Sequence, residues 1–383
     1  VELKDFKDFN TVNEAQDTLK LNVPKDILRL YKLFKQNKKK LYIVGGAVRD
    51  ALLGKKPKDI DLATDAKPDD VLKMVHKAGY KTLEVGKSFG VVIVITKEEP
   101  EGHEIATFRK DLSSGRRPDA VKFADISTDV KRRDLTINAL FYNIGTKEIV
   151  DLVGGIADLK DNNIRTVGAA EERFAEDALR KLRALRFAGR MGGKLDKGVE
   201  QALTKDNSLE GVSPERIRDE FSKSISKAKD VKEYYKMLDK FGFWPLILPG
   251  LTVNKTYANT NDWIIQLATL LKNNDLDKLK KTLNKLTYGT DEIRSIEALI
   301  LLLTLTPETA ATIKNKVKIA KVKDKEILAY AKLNNIDTKL IKAFLKYSPS
   351  TSGEELMKQG FKGAEIGKKI REIEADKFKQ LLR

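Results

Sequence analysis

Apolar positions fall in two textures along the chain. Between residues 41 and 150 they form short runs rich in β-branched side chains: LYIV (41–44), IDLA (60–63), VVIVIT (91–96), EIATFR (104–109) and EIVDLV (148–153). Runs of this length and composition predict strands. Between them, AVRDALLG (47–54) and PDDVLKMVHKAGY (68–80) carry helical spacing, the second stopping at Gly79. From about residue 170 strand signals nearly vanish and helical periodicity takes over, punctuated by MGG (191–193), DNSLEGVSPE (206–215), LPG (248–250), LTYGTD (286–291) and SPSTSGEE (348–355). Ser213 followed by Pro214 predicts an N-cap and a first helical position. The longest apolar run, IEALILLLTL (296–305), is too short for a membrane span and predicts a buried helix. No internal repeat stands out. The pattern predicts a compact α/β head followed by an extended helical remainder.

Composition narrows the chemistry. A length of 383 residues with 41% hydrophobic content suits several packed units. There is no cysteine, which excludes disulfides, thiolate zinc sites and a cysteine nucleophile, and is compatible with a reducing cytoplasm. With only His76 and His103, histidine-rich metal sites are disfavoured. No charged-then-apolar leader opens the sequence, so a cytoplasmic location is expected. Lys and Arg total 73 against 56 Asp and Glu, a net charge of +17. Such an excess favours polyanions, nucleic acid before an anionic membrane surface. Residues 311–383 are basic yet keep periodic apolar positions, which predicts a folded basic surface.

Three segments carry candidate chemistry. In LYIVGGAVRDALLGKKPKDIDLATD (41–65) a strand runs into Gly45 and Gly46 and a helix begins, a turn that lets backbone amides approach phosphate. The following DID places Asp59 and Asp61 on one face of a strand while Ile60 enters the core. Adjacent carboxylates repel unless a cation lies between them, and all-oxygen coordination suits Mg²⁺ beside a phosphate. Two solvated aspartates in a turn are the alternative. Glu104, opening a strand that could pair beside DIDLA, is the candidate third carboxylate. KRRDLTINALFY (131–142) gathers Arg132, Arg133, Asp134 and Asn138, with Asp134 and Asn138 one helical turn apart; arginines can hold phosphate, and an Asp/Asn pair can bond sugar hydroxyls. A helix cap at Asp134 is the alternative. GKS at 86–88 is a decoy, because the phosphate-loop signature needs glycine where Lys81 stands.

EDALRKLRALRF (176–187) has Asp177, Arg180, Arg183 and Arg186 at intervals of three. Continued as one helix at about 100° per residue, they spiral around it rather than forming a stripe. Asp177 and Arg180 become neighbours, Ala184 and Ala188 leave room beside them for something flat, and Leu179, Leu182 and Leu185 anchor the opposite side. A fixed carboxylate–guanidinium pair matches the amino donor and ring-nitrogen acceptor of cytosine and adenine, and leaves guanine and uracil unpaired. An intrahelical salt bridge is the alternative.

Taken in order, GGAVRD…DID, EIATFR, GRRPDAVKF, RRDLTINAL, DLVGGIADL, EDALRKLRALRF and SPERIRDE resemble the class II tRNA nucleotidyltransferases (CCA-adding enzymes) and the related bacterial poly(A) polymerases, from about Leu41 to Glu220. The resemblance implies an α+β protein: a small N-terminal α/β nucleotidyltransferase head of DNA polymerase β type, then an elongated all-α neck, body and tail. The corresponding divisions are 1–155, 156–225, 226–310 and 311–383, the basic tail binding tRNA. It implies template-independent addition of C, C and A to the tRNA 3′ end from CTP and ATP, by two-metal nucleotidyl transfer with Mg²⁺. Asp59 and Asp61 would bind the metals, with Glu104 as third carboxylate. Gly46 and Arg49 would contact the triphosphate, and Arg132, Arg133, Asp134 and Asn138 would hold triphosphate and ribose. Asp177 and Arg180 would read the base, with Arg183 and Arg186 in support. Arg109, Asp111, Arg116 and Arg117 would belong to a mobile loop that helps switch from C to A. Partners are the tRNA acceptor stem and 3′ end, with no membrane and no protein partner implied. The poly(A) polymerase signature of two basic residues after the glycine in EVGKSFGVVIV is broken at Ser88. Residues 109–118 form a loop shorter than is usual in the family, without its customary aromatic residue; loop shortening marks CC-only enzymes. CC-only addition and polyadenylation are therefore the alternatives.

Overall fold

The computed structural model describes residues 21–57, 59–84, 86–111, 121–255 and 260–383. The chain divides into two compact units after Gly211.

The first unit is built on a seven-stranded mixed sheet in the order β3-β4-β5-β2-β1-β8-β9. Its strands are β1 (Leu41–Val44), β2 (Leu62–Thr64), β3 (Lys81–Leu83), β4 (Val91–Ile95), β5 (His103–Thr107), β8 (Phe141–Asn143) and β9 (Ile149–Val150). Only β2 and β5 run parallel. A separate ribbon pairs β6 (Arg109–Asp111) with β7 (Val121–Phe123), and β10 (Asn163–Ile164) lies parallel to β11 (Lys194–Leu195).

Alternation along the strands separates two apolar layers. Leu41, Ile43, Leu62, Val92, Val94 and Ile105 face α1 (Lys25–Gln36), α2 (Gly46–Leu52) and α3 (Pro68–Lys77), with Ile27, Leu30, Phe34, Val48, Val71 and Val75 in one buried cluster. Tyr42, Val44, Ala63, Phe108 and Phe141 form a smaller cluster on the other face. That opposite face is the one from which functional side chains project. α4 (Ile126–Lys131), α5 (Gly155–Lys160), α6 (Ala170–Glu176), α7 (Leu179–Met191) and α8 (Lys197–Lys205) complete the unit.

LYIV, IDLA, VVIVIT and EIATFR fall on β1, β2, β4 and β5, and EIVDLV contributes only the two-residue β9. KRRDLTINALFY is not one helix: Thr136–Asn138 is a single 3-10 turn, and the chain leaves it as β8.

The second unit is helical in its described residues, beginning with α9 (Pro214–Lys227), which Ser213 caps by accepting from the Arg216 amide, and α10 (Val231–Lys240). Phe221, Tyr234, Tyr235 and Trp244 pack there as a buried aromatic cluster. The run IEALILLLTL lies in the buried helix Thr290–Leu301 and the turn after it. Its last helix, Ala364–Leu382, is tied down by Glu374, which is 1% exposed and accepts from the Tyr347 hydroxyl at 2.6 Å, the Thr351 amide at 2.7 Å and Lys377 Nζ at 3.0 Å. Among the described residues no helix is long and apolar enough to cross a membrane.

Candidate active site

Asp59 and Asp61 lie just ahead of β2, with Ile60 between them packed on the helix-covered core. The Asp61 carbonyl accepts from the Val44 amide at 3.0 Å, which extends the pairing of β1 with β2 by one step. In the parallel register Leu62 lies beside Ile105 and Ala63 beside Ala106. One step earlier, this register sets Asp61 beside Glu104, both on the open face of the sheet. Loss of solvent around Asp61 pushes its carboxyl up; Glu104 and then Asp59 push the same way, while the Arg133 guanidinium opposes them. Asp61 and Glu104 on one face, with Asp59 near Asp61, fit a cation. Among the described residues, however, no group of three side chains closes into a ready-made metal cage. Mg²⁺ commonly takes one or two carboxylates and completes its shell with water and substrate phosphate, so an open set matches that habit.

Gly45, at φ +67°, makes the turn into α2, and its amide donates to the Leu140 carbonyl at 2.9 Å. Gly46 is the first residue of that helix. The resemblance implies that Arg49 contacts the triphosphate; here its guanidinium is engaged by protein groups. Arg49 is 4% exposed, bonds Asp50 through Nε and Nη2 at 3.0 and 2.8 Å, donates to Asn138 Oδ1, and lies 4.9 Å from the Phe187 ring centre. Helix-interior geometry therefore commits this guanidinium to protein partners.

The Arg132–Arg133 pair is held from below by Asp129, which is 1% exposed. Its carboxylate accepts from Arg132 Nε at 2.8 Å, from Arg133 Nη2 at 3.1 Å and from the Arg109 amide at 3.2 Å. Burial alone would raise the Asp129 carboxyl; Arg133 and Arg132 outweigh it and bring it below its ordinary value. Arg133 also lies 4.5 Å over the Phe141 ring. Asp129 escaped the sequence reading, although its spacing of three and four from the arginines on α4 was a usable signal. Asp134 and Asn138 do meet, Nδ2 to Oδ1 at 3.3 Å, across the 3-10 turn rather than along an α-helix. Asp134 Oδ2 accepts from Arg183 Nε at 2.7 Å and pairs with Nη2 at 2.6 Å. Against the opposing effect of burial, that guanidinium holds the Asp134 carboxyl down at about 2.

Asp177 corrects the helical-wheel argument. The residue sits between two helices with φ −155° and ψ 104°, ending α6. Its Oδ1 accepts from the Leu179 amide at 3.2 Å, as an aspartate at a helix start does. Arg180, in the first turn of α7, pairs with Glu176 at 2.5 Å and donates to the Arg132 carbonyl at 2.9 Å. The room expected beside Ala184 and Ala188 is filled by protein, the two being 0% and 1% exposed. Leu179, Leu182 and Leu185 are buried as expected. Arg186 is also buried, 4.4 Å over Phe187.

Arg109 is the anchored root of the expected loop, its guanidinium bonded to the Phe89 carbonyl. Asp111 ends β6, while Arg116 and Arg117 lie outside the described residues.

Residues 41–165 match the family described as the poly A polymerase head domain, and residues 194–254 the family described as a probable RNA and SrmB-binding site of polymerase A. Curated relatives include the CCA-adding enzymes of Bacillus velezensis, 42% identical over 201 residues (51% of this chain and 49% of that one), and of Leuconostoc citreum, 38% identical over 253 residues (61% and 60%). The chain spans about half the length of curated relatives it matches. Among solved structures, a Bacillus stearothermophilus CCA-adding enzyme in complex with CTP superposes with a TM-score of 0.71 at 26% identity, covering 91% of each chain. A Thermotoga maritima CCA-adding enzyme complexed with tRNA shares the fold at a TM-score of 0.66 and 21% identity, covering 97% of each chain.

Proposed function

We propose that the chain is a member of the tRNA nucleotidyltransferase/poly(A) polymerase family, a reading supported by its head-domain match and its CCA-adding relatives, and that it adds C, C and A to the 3′ end of tRNA, using CTP and ATP without a nucleic-acid template. The observation that carries the reading is Asp61 beside Glu104 on the open face of the sheet, with Asp59 and Arg133 within electrostatic reach. Asp59 and Asp61 would hold Mg²⁺. Bound there, the ion supplies charge stabilisation for in-line attack of the RNA 3′-hydroxyl on the α-phosphate and for the departing pyrophosphate. Arg132 and Arg133, fixed by Asp129, receive the triphosphate, and Asp134 and Asn138 approach the ribose. Gly46 brings backbone close to the phosphates. Arg49 serves this site from behind, by orienting Asn138.

Asp177 and Arg180 would read the base, with Arg183 and Arg186 setting their helix. In the structure Arg180 is engaged by Glu176, so base reading requires its head group to exchange that partner for the nucleotide edge. The division into head 1–155, neck 156–225, body 226–310 and tail 311–383 accompanies this reading, with the loop containing Arg109, Asp111, Arg116 and Arg117 taking part in the change from C to A. A cytoplasmic location follows from the tRNA substrate. CC-only addition is the second reading, on the sequence expectation that residues 109–118 are shorter than is usual in the family.

The test is incorporation of labelled CTP and ATP into tRNA lacking its 3′ end, with Mg²⁺, by the wild-type chain and by Asp61→Ala. The reading expects C and A but not U or G to enter, and near-complete loss in the variant. Incorporation that survives Asp61→Ala contradicts the proposed metal face.

A further inference from the structure

The contacts that engage Arg49 and Arg183 do not end there. Arg183 bonds Asp134, Asp134 accepts from Asn138, and Asn138 accepts from Arg49. Arg49 bonds Asp50, and Asp50 accepts from Arg190 Nη2 at 3.1 and 3.0 Å. Arg183 and Arg190 are seven residues apart on α7, two turns along one face. The chain of bonds therefore leaves α7, crosses the 3-10 turn and α2, and returns to α7. Phe187 lies between its two ends, with Arg49, Arg183 and Arg186 stacked at 4.9, 5.9 and 4.4 Å from the ring centre.

We propose that Asp50, Phe187 and Arg190 are positioning residues that close this ring and hold α7 at a fixed angle to the phosphate turn, keeping the base reader aligned with the carboxylate face. The proposal rests on the nucleotidyltransferase reading and adds residues that the sequence did not single out. Bonds from Arg180 and Arg183 alone tie only the first turns of α7 and would let its far end swivel; the attachment at Arg190, two turns beyond Arg183, removes that freedom. The lever is long. Arg180 lies ten residues from Arg190, about 15 Å at 1.5 Å per residue, so a tilt of about 5° displaces the reader by about 1 Å. A misplacement of that size can cost about a hundredfold in rate. Because every bond has at least one charged partner and the groups are largely shielded from water, each is directional as well as attractive.

The experiment uses the full chain and tRNA lacking its 3′ end, with CTP and UTP as competing nucleotides. Variants are Arg190→Met, which keeps the aliphatic length, the isosteric Asp50→Asn, and Arg190→Lys as the conservative rescue. The expected result is a loss of C-over-U selectivity of about tenfold or more in the first two, carried by kcat, with KM for CTP within about threefold of wild type. Arg190→Lys should recover most of the selectivity. Selectivity within twofold of wild type in both variants overturns the proposal, as does a loss confined to KM or a lysine variant no better than methionine. A wild-type chain that transfers no nucleotide refutes the functional reading instead. Hydrogen exchange then decides the ring: faster exchange in α7 than in β1 of Arg190→Met supports it, and unchanged exchange in both overturns it.

Discussion

Replacing Asp134 by asparagine isolates the ion pair that joins the Arg132–Asn138 segment to α7. The asparagine keeps the shape and the contact with Asn138 but removes the charge that Arg183 meets at 2.6 Å. The Asp134 carboxyl is held at about 2, against an ordinary 3.8. A lowered carboxylate stabilises the fold above its ordinary pKa and loses that contribution as pH falls through the lowered value. A difference of nearly two pH units corresponds to about 2–3 kcal/mol at neutral pH. Near pH 3 the same linkage leaves about half of it. The assay is urea unfolding of the wild type and Asp134→Asn, followed by hydrogen exchange of peptides covering β1 and α7. Tryptophan fluorescence is unsuitable, because Trp244 and Trp263 both belong to the second unit. The variant should lose about 2–3 kcal/mol at pH 7 and distinctly less near pH 3. Equal stability at pH 7, or a deficit that does not shrink with acid, refutes the reasoning.

Asp61 has the opposite sign. Its raised carboxyl contributes stability present below the ordinary carboxylate pKa and lost as pH rises through the raised one, so metal-free Asp61→Asn should melt higher than wild type at neutral pH. The Mg²⁺-induced rise in melting temperature should disappear in the same variant. Glu374 is lowered to about 2, burial being outweighed by bonds from Thr351, Tyr347 and Lys377. Glu374→Gln should therefore speed hydrogen exchange in residues 364–382 at pH 7, the difference from wild type fading as pH falls towards 2. At Gly193 an added Cβ would come within 2.4 Å of the Asn162 carbonyl oxygen, so Gly193→Ala should cost about 1–3 kcal/mol by calorimetry through a forced shift of β11 from β10.

Legibility in the sequence followed the strength of the local signal. β1 and β4 were readable as apolar runs containing β-branched residues, and β2 and β5 as short runs with a clear inward side. β3, an edge strand with Lys81 and Leu83 exposed, carries no such run. β8 was hidden because the polar residues Asp134 and Asn138 mimic helical spacing. Instead, Leu135 bridges Thr166 and the Thr136 amide donates to Arg165, contacts that no local pattern announces. The break at Asp177 was more accessible. No glycine or proline marks it, but an aspartate two residues before Leu179 is a good start for a helix, and Glu176 rather than Asp177 then falls four residues before Arg180. Glu104 beside Asp61 was legible because the pairing of DIDLA with EIATFR and strand alternation set those two on one face, whereas Asp59 lies in the bend ahead of β2 rather than on a strand. The ring through Asp50 and Arg190 was not legible, since it joins residues 140 apart in sequence.

The most direct measurement is mass spectrometry of the tRNA 3′ terminus after incubation of a trimmed tRNA with the full chain, Mg²⁺ and all four nucleoside triphosphates. The account predicts one product, extended by C, C and A and no further. A terminus that stops at CC contradicts complete addition, and a heterogeneous run of A residues contradicts the assignment of the chain to tRNA end synthesis.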